Sequence, residues 1–181
     1  SVGHDGRTIT VYLNQQGRIS MARVWMTAVP MATILSKVWR EHGAVPIRLV
    51  ADRRLRFDQV WIPLSVCRDA GWHSVGLVVA RSPDQRGIRQ LDARMLPAAA
   101  FPSDTVVIQL DPKGITVNGR EVDVVILQRL LVRIAGVDSR HVIAVQPAPE
   151  TRFSRVVTVL AECDRAGLTN VRLLPLPPES N

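Results

Sequence analysis

Two cysteines, four histidines and one acidic-basic cluster are the residues here whose types could do chemistry. Cys67 and Cys163 are too few for a disulfide scaffold, and they lack the close pairing that a zinc site needs. A thiol of this kind most often packs as a small hydrophobe. A disulfide between the two is the alternative. His4, His42, His73 and His141 stand apart from one another, and none pairs in sequence with a nucleophile or a second metal ligand. No phosphate-binding loop, dinucleotide-binding glycine pattern, zinc-protease helix or nucleophile elbow is present. The sequence therefore offers no catalytic, cofactor-binding or metal-ligating set. What remains is Asp52-Arg53-Arg54, with Arg56 close behind: a charged turn suited to contacting a partner.

A repeated pattern along the chain supplies the elements that must position these residues. Arg56, Phe57, Val60, Leu64, Cys67, Ala70, Gly71, Val75 and Leu77 recur as Arg152, Phe153, Val156, Leu160, Cys163, Ala166, Gly167, Val171 and Leu173, at a constant interval of 96 residues. Ile19, Leu35 and Ile47 match Ile115, Leu131 and Ile143 at the same interval. Leu13 and Gly17 match Leu110 and Gly114 after a slip of one residue. A run at one offset is the signature of an internal duplication.

Each copy reads alike. Period-2 alternation marks strands over Ile9–Leu13 and Val106–Leu110, followed by short strands over Arg18–Met21 and Ile115–Val117. Asn118-Gly119 adds a hairpin signal to the second copy that the first lacks. Apolar stripes predict helices over Ala28–Glu41 and Val124–Ile134, opened by Thr27 and Asp123 as N-caps. Strands follow near Ile47–Ala51 and Val142–Gln146. Second helices open at Phe57 and Phe153 and end at Gly71 and Gly167, and last strands lie near Ser74–Val79 and Asn170–Leu174. Pro63 implies either a bend in its helix or a boundary placed wrongly. The expected fold is α+β: two tandem β-β-α-β-α-β repeats, each a small mixed sheet with two helices packed on one face, forming a pseudo-symmetric pair. The repeats occupy residues 7–80 and 104–176. Residues 81–103 read as a linker, with a short helix near Ile88–Met95.

The order and spacing of these motifs resemble the periplasmic domain of the ExbD/TolR family of energy-transducing accessory proteins. Copy one carries Ile47-Arg48-Leu49-Val50-Ala51-Asp52, then Phe57 and Val60, then Asp69-Ala70-Gly71, then Val75-Gly76-Leu77-Val78. Copy two carries Val142-Ile143-Ala144-Val145-Gln146-Pro147, then Phe153, Val156 and Val157, then Arg165-Ala166-Gly167, then Val171-Arg172-Leu173. The resemblance implies a noncatalytic periplasmic module of a motor driven by the proton-motive force. Its implied partners are an inner-membrane channel protein of the ExbB/TolQ type, peptidoglycan, or a second copy of the chain. Family members are typically dimers, so a tandem pair corresponds to a dimer fused into one chain. Two departures stand out. Asp52 has Ala148 at its equivalent position, and the family's N-terminal membrane helix with its aspartate is not in this sequence. The opening Ser1-Val2-Gly3-His4-Asp5-Gly6 reads as a truncation point, which leaves an anchoring segment to the inner membrane open.

The formal net charge is +7, and of 23 basic residues only Lys37 and Lys113 are lysines. An arginine-rich surface suits phosphate and carboxylate groups. A basic module binding RNA or DNA is therefore the second reading. Sheet-based RNA binders stack bases on exposed strand aromatics, and the predicted strands offer only Tyr12, which argues against nucleic acid. The tail Leu173-Leu174-Pro175-Leu176-Pro177-Pro178 reads as a frayed end, or as an extended docking segment.

Overall fold

The computed structural model describes residues 8–80, 91–95 and 102–176. His4, positions 81–90 and 96–101 of the expected linker, and Pro177 and Pro178 of the tail lie outside the described residues.

The first half runs β1 (Ile9–Leu13), β2 (Ile19–Met21), β3 (Val24–Met26), α1 (Ala28–His42), β4 (Ile47–Asp52), α2 (Phe57–Asp69) and β5 (Ser74–Ala80). After β6 (Leu91–Met95), the second half runs β7 (Val106–Leu110), β8 (Ile115–Val117), β9 (Arg120–Val122), α3 (Val124–Val137), β10 (Ile143–Pro147), α4 (Phe153–Arg165) and β11 (Val171–Leu173). The chain is thus α+β, with four helices and one mixed sheet of eleven strands among the described residues.

Strand order is β3-β2-β1-β4-β5-β6-β11-β10-β7-β8-β9, which reads alike from either end with β6 in the middle. β4 lies parallel to β1 and β5, and β10 lies parallel to β7 and β11. The hairpins β1-β2-β3 and β7-β8-β9 are antiparallel. Two features differ from the expectation. Each half has a third strand, β3 or β9, and the sheet is continuous rather than split in two. β6 is the reason for the continuity. The segment expected to carry a short helix instead pairs antiparallel with β5 and parallel with β11. With open strand edges on both sides, ladder hydrogen bonds outweigh what local sequence favours at Leu91–Met95.

One face of the sheet carries the core. Val11, Leu13, Leu49, Ala51, Leu77, Ile108, Leu110, Ile143, Val145 and Leu173 share it and are buried with Met31, Leu35, Leu64, Leu127, Leu131 and Leu160 from the four helices. Alternate residues face away, among them Thr10, Tyr12, Arg48 and Gln109, following the period of two.

Local chemistry fixes the ends. Asp123 Oδ1 accepts the Ile126 N–H at 2.7 Å and caps α3, whereas Thr27 sits at the α1 N-cap with no side-chain bond. α2 continues past the buried Pro63, so the expected boundary stands, at the cost of the N–H that would have bonded the Gln59 carbonyl.

The hairpin turns differ in quality. Both Asn118 (φ 47°) and Gly119 (φ 82°) take left-handed conformations that suit them. At the matching turn Ala22 (φ 49°) and Arg23 (φ 65°) take the same conformations without the residues that favour them. Each costs about 1 kcal/mol or more. Ala22→Asn combined with Arg23→Gly is expected to raise stability by about 1–2 kcal/mol. Urea denaturation checks this; a neutral or destabilising result would show that the turn is not under strain.

Candidate functional site

The charged turn identified in the sequence lies where the two halves meet. β4 ends in Asp52, whose side chain is only 8% exposed. Its Oδ1 accepts the Arg54 N–H at 2.9 Å, and its carbonyl accepts the Leu55 N–H at 3.2 Å. These bonds turn the chain sharply toward α2. The Arg54 guanidinium sits 3.6 Å from Asp52. At the α2 N-cap the Arg56 N–H donates to Gln59 Oε1 at 3.1 Å, and the Arg56 guanidinium pairs with Asp58 at 2.8 Å.

The equivalent turn of the second half approaches head-on. Arg56 and Arg152 form an isolated antiparallel bridge. The Phe57 N–H donates to the Thr151 carbonyl at 2.7 Å, and the Phe153 N–H to the Leu55 carbonyl at 2.8 Å. One step outward, the Asp58 N–H donates to the Pro149 carbonyl at 3.0 Å and the Ser154 N–H to the Arg53 carbonyl at 3.2 Å. Every bond has its counterpart 96 residues away, so the joint is reciprocal about the bridge between Arg56 and Arg152. Thr151 is fully buried here, and its hydroxyl donates to the Leu110 carbonyl at 2.9 Å.

This geometry decides one question of chemistry. Two helix N-termini and a set of exposed arginines, Arg53, Arg54, Arg56 and Arg152, converge on one spot. Free helix N–H groups there would make an anion site. Those of residues 57, 58, 153 and 154 are spent on carbonyls of the opposite half. The seam is therefore a built joint, with the arginine side chains left around its rim. Asp52, Arg53, Arg54 and Arg56 lie together on one turn, and the backbones of Arg53 and Arg56 contact the other half of the same chain.

The remaining candidates do not converge. Cys67 and Cys163 are both free and buried, so the disulfide alternative is corrected. Burial pushes each thiol from its ordinary 9.0 up to about 12, with Glu162 adding to the effect at Cys163. The fold thus retains two protons that the unfolded chain releases first, so stability falls as pH rises past 9.0 toward 12. Neither thiol should react with an aromatic disulfide reagent at pH 8 unless denaturant is added; prompt labelling of the native protein would contradict their burial. His42 and His73 are exposed, and His141 contacts the Asp104 carbonyl at 2.9 Å. Among the described residues no group of three or more His, Cys, Asp and Glu gathers as a metal site. No helix among them is long and apolar enough to cross a membrane. A pocket of about 430 Å³ lies at the other end of the strands, walled by Trp39, Val45, Ile47 and Trp72, with His73 and Ser74 also lining it. It brings together no acid-base pair.

Trp25 lies on a strand that the sequence pattern does not mark. Strand β3 pairs Trp25 with Ser20, and β1 pairs Tyr12 with Ser20, so both aromatics lie on the uncovered face of the sheet. They are 47% and 59% exposed, Tyr12 and Trp25 respectively. The hairpin that places Trp25 turns at Ala22-Arg23, which carries no turn signal. Its equivalent at Asn118-Gly119 was the available clue.

Comparison with protein-family models, with curated proteins and with solved structures finds no match to this chain.

Proposed function

We propose that this chain is a noncatalytic periplasmic module of the ExbD/TolR kind, working in a motor driven by the proton-motive force. In this reading residues 7–80 and 104–176 are two copies of one unit, joined as a pseudo-symmetric pair that does within one chain what two subunits would do as a dimer. The observation that supports it most is the reciprocal main-chain seam, Phe57 to Thr151 and Phe153 to Leu55. Such a joint holds two units in fixed register without side chains specific to either. Asp52, Arg53, Arg54 and Arg56 then present one charged rim to a channel protein of the ExbB/TolQ type or to peptidoglycan. A segment outside this sequence would anchor the module to the inner membrane. The test is affinity capture of the full-length natural gene product from detergent-solubilised cells. Recovery of a polytopic inner-membrane protein is the expected result, and recovery of nucleic acid or ribosomes without one would overturn the reading.

A second reading, a basic module that binds RNA or DNA, gains support from one observation. Sheet-based binders stack bases on exposed strand aromatics, and Trp25 stands with Tyr12 on the open face.

A further inference from the structure

The uncovered face of the sheet carries a belt of residues running across the strands. It starts at Trp25 on β3, passes Ser20 on β2 and Tyr12 on β1, steps two residues along β1 to Thr10, and continues through Arg48 on β4, the partner of Thr10, and Gly76 on β5. It ends at Arg94 on β6 and Arg172 on β11, which are cross-strand partners. Six strand spacings separate its ends, a span of about 29 Å.

Three features of this belt ask for a ligand. Tyr12 and Trp25 flank the buried Ser20 and present large, solvated rings. Like charges placed directly opposite on neighbouring strands repel, yet Arg94 and Arg172 occupy such a pair. An anion between them would relieve that repulsion. Finally, the arginines are held by neutral groups: Arg48 Nε donates to Thr10 Oγ1 at 2.9 Å, and Arg172 Nε to Asn170 Oδ1 at 2.9 Å. Their positive charge is oriented but not cancelled by those bonds. Acidic register positions on this face are Asp92 within the belt, Glu121 on the far strand β9, and Asp52, which is buried in its own turn.

Resting on the second reading above, we infer that this belt binds single-stranded nucleic acid, with bases stacked on Tyr12 and Trp25 and phosphates on Arg48, Arg94 and Arg172. Aromatic faces beside a positive track are what a sequence-tolerant single-strand site requires. Its length accommodates on the order of five nucleotides. A bilayer fits less well, because adjacent strands rotate by roughly 20° and the belt crosses seven of them. A flexible polymer follows that twist, and a planar surface does not. A duplex cannot offer bases to the rings.

The test is fluorescence anisotropy with a labelled oligouridylate and the matching duplex. Three variants are compared with the parent chain: Tyr12→Ala with Trp25→Ala, Arg48→Gln with Arg94→Gln and Arg172→Gln, and, as a control of similar charge change, Arg129→Gln with Arg133→Gln on α3. Circular dichroism monitors folding, and Trp25→Phe supplies a milder change should the alanine pair disturb the hairpin. The expected results are preference for the single strand and a salt slope of about −2 for three phosphate contacts. Affinity should fall about 5- to 150-fold for each ring removed and change little for the control. Trp25→Phe should retain most of the binding. Single-strand binding that survives the face variants, or drops equally in the control, overturns this site while leaving the basic-module reading intact. Failure to bind any oligonucleotide at low salt overturns both.

Discussion

Phe153→Ala is expected to lower the stability of the whole chain by about 3–5 kcal/mol, and Phe57→Ala by a similar amount. Both rings are completely buried where α4 and α2 begin, and the backbone N–H of each donates across the seam. Alanine keeps that main-chain bond and removes the ring, so the loss measures packing beside the joint. A convenient asymmetry exposes the coupling between the halves. All four tryptophans, Trp25, Trp39, Trp61 and Trp72, lie in the first half, whereas Phe153 lies in the second. In urea denaturation of Phe153→Ala, tryptophan fluorescence therefore reports on the half that was not mutated. With the sheet continuous through β6 and the seam closed at Arg56 and Arg152, the fluorescence and far-ultraviolet transitions should shift together. A fluorescence midpoint held at its parent value, beside a shifted or biphasic circular dichroism curve, would mean that the halves unfold independently.

How much of this architecture was readable beforehand depends on where its information resides. Helices α1, α3 and α4 were legible because each stripe of large apolar residues repeats at helical spacing, as with Met31 and Leu35 or Phe153, Val156 and Leu160. β1, β4 and β7 were legible from alternation, and the burial of Val11 and Leu13 beside the exposed Tyr12 is that alternation realised. β3 and β6 were not legible. Val24-Trp25-Met26 is apolar at every position, so it has no period, and its turn uses residues that resist positive φ. Leu91-Asp92-Ala93-Arg94-Met95 sits in a stretch rich in arginine and proline, and takes its conformation from the ladders on either side. Those two strands carry parts of the proposed belt. One carries Trp25 and the other Arg94, so the belt on the open face depends on the elements that local sequence specifies least. The charged turn was visible as a candidate, but its seam was not. The seam is built from main-chain groups of Leu55, Phe57, Thr151 and Phe153, and main-chain pairing leaves no trace in residue type.

Gly71→Ala is expected to cost about 2–4 kcal/mol, and Gly167→Ala only about 1 kcal/mol, although both follow the second helix of their half and stand 96 residues apart. Both glycines have positive φ, 116° at Gly71 and 86° at Gly167, so both substitutions carry backbone strain. The surroundings separate them. A Cβ at Gly71 would lie 2.9 Å from Trp39 Cε2, closer than real Cβ contacts come, while at Gly167 nothing lies within 4 Å. Trp39 has little freedom to retreat. It meets Trp72 edge to face at 4.9 Å between ring centres, and Trp72 is itself tied by its indole N–H to the Val45 carbonyl at 2.7 Å. The second half carries Ala135 and Leu168 where the first has Trp39 and Trp72. A double-mutant cycle isolates the contact: with Trp39→Ala in place, Gly71→Ala should cost no more than Gly167→Ala does. Equal losses for the two glycine variants in the parent background would show that Trp39 yields freely. The indole pair would then not be the rigid wall that shapes the nearby pocket.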